Sequence, residues 1–569
     1  MTKNKIKEKD KKQNYEINNS LESLFQLGIS LHKQGKKLEA SNIYKIILKN
    51  DKNHFDSNHM LGIIETQNNN TSMAILFLQK AVQINPNSSY AYSDLGINLY
   101  KIKKIDEAIK CFERAIQLDV ENAQAYSNLG NILQEIGNYE DALIKYIRAI
   151  DIDCKYIQAH YNCGNAFRAL GKFDQAIQYY DNAIDLSPNF AEAYCNKGVA
   201  LKELNLLDEA LECFNISISI NINFADAFYN RGLVLHDLKR IDEAVTNYEK
   251  AIDIKPDYID AYWNKSLALL LCGDYLNGWK LHEYRWKTNK FKSKQRNYPE
   301  KYWLGLESLN GKNIYIYEEQ GIGDTIQLCR YLNLVKLLGA YVIFGVSKSM
   351  YDFMLSLDGV DELISNDLTP TSFDFHCPLH SLPLALGATI ETIPNEFGYL
   401  KANLKKVAKW KEKLGLQKKI RIGIAWSSVS LFEQDKSRSI SFLTMMSAIP
   451  SDMFEIVCLQ KFIKEEDNSV FSKSGINFYG NELEDIEETA ALISCLDLVI
   501  STCTSVPHIS ASIGKPTWIM LQYVPDWRWM LEREDSLWYQ TVRLFRQKTR
   551  GDWNSVCTQV YNELLIYRK

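Results

Sequence analysis

The sequence predicts an α-helical solenoid followed by a two-lobed α/β region. Three observations carry this reading. A 34-residue period runs through the first half. It stops before position 313. From there, strand-like runs alternate with helical ones. At 569 residues the chain is too long for one ordinary domain, and a change of pattern at mid-chain marks where the architecture changes.

Positions 1–20 come first and read as a disordered basic tail. Met1–Lys12 holds six lysines and no apolar run, so it cannot bury enough surface to fold and is not a secretion signal. Net charge is −4, with 66 basic and 70 acidic residues, which gives no field that would attract nucleic acid. No run of about 18 apolar residues is present, so no spanning helix is expected. Twelve cysteines are scattered without a C-x-x-C pair. That pattern fits free thiols in a reducing compartment, and a cytoplasmic protein is expected.

The repeat occupies 21–290. Gly28, Gly62, Gly96, Gly130, Gly164, Gly198 and Gly232 share one register, which Ser266 continues. Ala40, Ala74, Ala108, Ala142, Ala176, Ala210 and Ala244 form a second, and Tyr44, Leu78, Phe112, Tyr146, Tyr180, Phe214 and Tyr248 a third. Within 125–150, apolar residues recur at helical spacing on both sides of Gly137-Asn138, so each repeat is a helix pair. Small residues let the two backbones approach, and the large side chain fills the space beside them. Pro86, Pro188 and Pro256 follow second helices, where helices stop. One pair cannot bury its apolar faces alone, whereas stacked pairs make a superhelix with a concave surface.

This pattern resembles the tetratricopeptide repeat family over about eight copies. The last copy departs: Gly278 replaces the alanine and WKLHEYRW follows, which reads as a cap. Two residues before the glycine register stand Asn128, Asn162, Asn196, Asn230 and Asn264. These fall in a line on the inner face. Each carboxamide can donate to and accept from an extended peptide, for about 0.5–1.5 kcal/mol net per bond. The other reading is that they only solvate the first helix or bond a neighbouring repeat. Self-association through the repeats is left open.

After a linker at 291–312, strands are expected at 313–318, 341–346, 421–427, 454–460, 496–501 and 516–521, with helices such as DTIQLCRYLNLVKLLG between them. Such alternation argues for parallel sheets covered on both faces. The lysine-rich stretch 401–419 separates a first lobe, 313–405, from a second, 406–569.

Two strand ends draw attention. In YEEQGIGDTIQLCRYL, Gly321 and Gly323 begin a dinucleotide-like turn, but Ile326 stands where the third glycine belongs and no acidic residue ends the next strand. A nicotinamide cofactor is therefore not expected. Pro516 after Gly514-Lys515 excludes a Walker loop. The turn instead opens a helix at Asp324, which is either a cap or a base facing a cleft. In LDLVISTCTSVPHIS, a buried strand ends in hydroxyls and a helix follows, a seat for phosphate with Thr504, Ser505 and His508 at its start. A lone histidine there either packs or reaches a diphosphate or sugar.

The segments GIGDTIQLCRY, HCPLHSLPLALG, IGIAWS, RSI, LQK, TAALISCLDLVIST, TSVPHISASIGKP and PDWRWMLEREDSLWY together resemble a heptosyltransferase-like (family 9) glycosyltransferase domain. That fold is the two-lobed GT-B type, and a repeat superhelix ahead of it is similar in plan to protein O-GlcNAc transferase. The resemblance implies inverting transfer of a sugar from a nucleotide-diphosphate sugar, used as co-substrate with no other cofactor and no metal. It places Asp324 as general base. It places Gly321, Gly323, Arg438, Lys461, Thr504, Ser505 and His508 around the donor. The expected acceptor is a protein held by the asparagine series. Two departures stand out. Cys503 replaces the usual aspartate of the donor motif, which changes the donor, weakens binding or marks a degenerate enzyme. Pro507 replaces a small helix former. His376, Cys377 and His380 invite a metal reading, but Pro378 breaks any helix between them and no fourth ligand is near, so packing is expected.

Overall fold

A computed structural model describes residues 21–428 and 437–567. The expected tail at 1–20 lies outside the described residues. The chain forms two compact units, Met1–Ala227 and Phe228–Lys569.

The first unit is built of paired helices, from 21–33 and Lys37–Asn50 through Ala191–Glu203 and Leu207–Ile220. The three sequence registers are its interior. Ala40, Ala74, Ala108, Ala142, Ala176 and Ala210 are fully buried, as are the large residues facing them. A Cβ added at Gly164 would stand 2.5 Å from the Tyr180 ring, and one at Gly130 2.6 Å from Tyr146. Glycine is required because the partner helix's aromatic lies on the backbone. A fourth register emerges in the turns. Gly35, Asn69, Lys103, Gly137, Gly171 and Asn205 all adopt positive φ. Each ends the first helix of its pair, and the next amide reaches back five residues, as from Asn138 to Leu133 O at 2.9 Å.

The second unit holds the final helix pairs, ending in Ile259–Cys272 and Tyr275–His282, and two parallel five-stranded sheets. The first sheet comprises β1 (Lys301–Tyr302), β2 (Asn313–Tyr317), β3 (Tyr341–Val346), β4 (Glu362–Ser365) and β5 (Phe375–Pro378), in the order β1-β5-β2-β3-β4. The second comprises β6 (Arg421–Ala425), β7 (Glu455–Cys458), β8 (Leu498–Thr502), β9 (Thr517–Leu521) and β10 (Val542–Arg546), in the order β10-β9-β8-β6-β7. The six expected strands are all present. The four others are short or carry charged residues, and β1 falls inside the expected linker.

Two local expectations are corrected. The helix after β2 opens at Ile322 behind a Gly321 cap, so Asp324 is its third residue and not its first. The single helix expected from Asp324 is broken into Ile322–Leu328 and Tyr331–Leu337. The break coincides with Arg330, a buried residue whose guanidinium donates to Gln327 O, Pro394 O, Trp538 O and Tyr399 Oη. Among the described residues, no helix is long and apolar enough to cross a membrane.

Candidate functional site

Strand order reverses once in each sheet, between β2 and β5 and between β6 and β8. At such a reversal the connections leave in opposite directions, and a crevice opens beyond the carboxyl ends of the strands. Residues 318–324 follow β2 and residues 503–508 follow β8. Both sequence-singled turns therefore lie at switch points. The helices that leave them, Ile322–Leu328 and Ser505–Ser512, pack on each other.

Their contact is close. A Cβ on Gly323 would stand 2.8 Å from His508 Cδ2. Glycine at 323 therefore allows the histidine ring to lie on the backbone of the other lobe. Asp324 Oδ2 accepts from the Gly321 amide at 3.0 Å, and its Oδ1 accepts from Arg528 Nη2. Asp324 thus serves the helix start through one carboxylate oxygen, and its other oxygen is paired with Arg528 of the second lobe. Its side chain is 23% exposed. Burial pushes its carboxyl up, but the Arg528 guanidinium, with His380 and His508, outweighs this and holds it below the usual carboxylate range.

His508 is buried, and Nδ1 lies 2.8 Å from the Tyr539 hydroxyl. Burial and then the Arg528 charge push its pKa down to about 3, against a smaller pull from Asp324. The ring is therefore neutral at physiological pH. Thr504 caps its helix, with Oγ1 accepting from Val506 N at 3.3 Å. Thr504 and Ser505 remain partly exposed. Cys503 is buried, and its sulfur accepts from Trp529 Nε1 at 3.1 Å. Burial raises the thiol pKa, so the position is uncharged where the resemblance expects a carboxylate.

The two expected donor-site cations differ. Arg438 is half-buried, and its charge reaches both Cys503 and His508. Lys461 is exposed, and its ammonium donates to the backbone carbonyl of Glu484 at 3.0 Å. His376, Cys377 and His380 do not converge. The His376 ring packs against Tyr298 and Tyr302, Cys377 Sγ lies against Pro378 O, and His380 sits beside Glu319.

Sequence reasoning missed the residue at the centre. Arg528 donates to Asp324, to Asp526 Oδ1 at 2.7 Å and to Gln327 Oε1 at 2.6 Å. It lies in a 3₁₀ turn between Trp527 and Trp529, both buried. The signal was present in PDWRWM. An arginine flanked by tryptophans and preceded by aspartate is a charge placed in an apolar wall, and such a charge needs partners.

In the first unit, a cavity of about 670 Å³ is lined by Asn131, Gln134, Gln158, Asn162, Asn165, Arg168 and Asn196, among others. The expected asparagine ladder is corrected in detail. Asn162 Nδ2 donates to Asn131 Oδ1 at 2.7 Å, and Asn196 Nδ2 donates to Tyr161 Oη at 2.8 Å and Asn165 Oδ1 at 2.9 Å. In the second unit, Asn264 Nδ2 donates to Tyr229 Oη at 2.9 Å, and Asn230 is engaged too. These amides join successive repeats, because the residue 31 or 35 positions earlier lies directly across the helix pair. Asn128 Nδ2 is buried with no hydrogen-bond partner. Asn131 and Asn165 were not singled out by sequence. The oxygen of each is taken by its neighbour's amide and by a core tyrosine, Tyr146 or Tyr180. Both residues line the cavity.

The family described as "TPR repeat" matches residues 98–137, 130–171, 164–205 and 232–271, and "Tetratricopeptide repeat" matches 55–88 and 191–221. These segments are tetratricopeptide repeats. Protein FlbA of Caulobacter vibrioides is 24% identical over 323 residues, covering 52% of this chain and 53% of its own length. The chain thus spans about half the length of that curated relative. Among solved structures, YrrB, titled "a TPR protein with an unusual peptide-binding site", is 28% identical, covering 33% of this chain and 98% of its own, with a TM-score of 0.30. MamA is 29% identical, covering 29% and 96%, with a TM-score of 0.27.

Proposed function

We propose that the chain is a metal-independent, inverting glycosyltransferase that takes a sugar from a nucleotide-diphosphate sugar and whose repeats hold a protein acceptor. The observation that carries this reading is the meeting of two switch points: Gly323 lies against His508, and Asp324 reaches Arg528 from the opposite lobe. A ligand spanning both crevices would have its phosphates near the Ser505–Ser512 helix start and its sugar near Asp324. In the reaction, Asp324 accepts the acceptor hydroxyl proton as the acceptor oxygen bonds to the anomeric carbon. The bond from that carbon to the diphosphate oxygen breaks, and its electron pair leaves on the diphosphate. Arg438 and the hydroxyls of Thr504 and Ser505 are among the polar groups that would face that leaving charge.

The test uses the full chain with a panel of nucleotide-diphosphate sugars, scored for transfer to co-purifying or added protein. Asp324→Asn is expected to bind donor at least as tightly as the wild type and lose transfer by at least about a hundredfold. Undiminished turnover by that variant removes Asp324 from the role.

A second reading is favoured by Cys503. A neutral thiol at the tip of β8 costs the cleft a carboxylate, and the repeats alone would then supply the function as a protein-binding scaffold. Cys503→Asp separates the two. A gain in donor affinity marks a weakened enzyme, and no binding before or after marks a scaffold.

A further inference from the structure

Arg528 holds more anionic partners than its single charge requires. Two carboxylates lie on one guanidinium, and its third arm is taken by Gln327. The two carboxylates are not equivalent. Asp526 belongs to the same turn and also accepts from the Arg528 amide at 3.2 Å, so it is fixed locally. Asp324 comes from the other lobe, where its second oxygen keeps the Gly321 amide, so its loss from Arg528 leaves the Arg528 turn intact. Beside this pair, Gln327 is fully buried and its Nε2 has no hydrogen-bond partner. Thr502 Oγ1, at the end of β8, is likewise buried and unpaired. Orphaned buried donors cost about 1–3 kcal/mol each, and a bound acceptor would relieve them. An arginine bonded to a glutamine that carries an orphaned donor is a seat for a multiply charged oxyanion, which guanidinium binds through two parallel hydrogen bonds.

We propose that Arg528 is the diphosphate-binding residue of the cleft, and that Asp324 occupies it until the diphosphate takes its place. The idea rests on the sugar-transfer reading and deepens it. While paired with Arg528, Asp324 is ionised but a poor proton acceptor. Exchange of partners leaves Asp526 on the guanidinium, gives Gln327 Nε2 an acceptor, and frees the Asp324 carboxylate for the acceptor hydroxyl. Donor binding and readiness of the base then become one event, so the base is withheld when no donor is present.

The two residues should act on anion binding with opposite signs. Inorganic pyrophosphate is titrated into the full chain, followed by tryptophan fluorescence, since Trp527 and Trp529 flank Arg528. Asp324→Asn removes the internal competitor and is expected to bind pyrophosphate about tenfold more tightly than the wild type. Arg528→Gln is expected to weaken it by about thirtyfold or more. Arg528→Lys keeps a cation without the two-pronged geometry and is expected to bind about fivefold more weakly, which keeps the test intact if the glutamine variant fails to fold. Saturable binding by the wild type with Asp324→Asn unchanged or weaker overturns the exchange and leaves the sugar-transfer reading standing. Absence of binding by wild type and Asp324→Asn, for pyrophosphate and for nucleoside diphosphates alike, overturns both.

Discussion

His508 illustrates how one residue couples the site to the stability of the unit that carries it. Its folded pKa lies near 3 and its unfolded value near 6.5. Between those values the unfolded chain binds a proton that the folded chain refuses, so stability falls as pH drops through that window. Asp324 adds to the loss at lower pH, because its depressed carboxyl stabilises the fold above the unfolded pKa and stops doing so as pH falls through the folded one. Chemical denaturation of wild type and His508→Gln from pH 7 to pH 4 checks this. The variant should lose up to about 1.4 kcal/mol per pH unit of the slope, one proton's worth, and an unchanged slope would mean that the ring titrates normally. Gly323→Ala is a sharper test of geometry. A methyl 2.8 Å from His508 Cδ2 must displace the ring or part the helices. A loss of about 1–3 kcal/mol in the midpoint of the second unit's unfolding is expected.

At the scale of elements, the repeat shows what periodic sequence encodes and what it hides. The glycine, alanine and aromatic registers were legible because each is a packing requirement repeated at a fixed interval. The turn register was not, because backbone handedness is met there by glycine, asparagine and lysine alike. Lys103 adopts φ 61°, a conformation that favours glycine. Lys103→Gly is expected to raise stability by about 0.5–1 kcal/mol, measured as a denaturation midpoint, since the Glu135 pair it gives up is exposed. A lower midpoint would show that this pair matters more than the strain. In the second unit, β2, β3, β6, β7, β8 and β9 were readable as apolar runs. β4 and β10 carry charged residues within the strand, and β1 has two residues, too few to leave a pattern. The site was half legible. Strand tips announced Asp324 and His508, but Arg528 is defined by partners about two hundred positions away, and no local spacing records that.

For the whole molecule, the polar cavity is lined by residues of the first unit, and the Asp324–Arg528 ion pair lies in the second. The first offers a polar cavity lined by Asn131, Asn165 and Arg168, among others. If the repeats hold a protein acceptor, Asn131→Ala with Asn165→Ala should weaken acceptor binding by about tenfold, read by titration of the full chain, and leave donor affinity unchanged. The second unit brings together the turns after β2 and β8, where each sheet reverses order, with an ion pair between Asp324 and Arg528. The account depends on that junction accepting a nucleotide-diphosphate sugar. Equilibrium binding of such donors to the full chain tests it most directly. The account expects one base-and-sugar combination to bind with one-to-one stoichiometry and to lose at least about tenfold in affinity in Arg528→Gln. No donor binding at or below about 1 mM across the panel would contradict it.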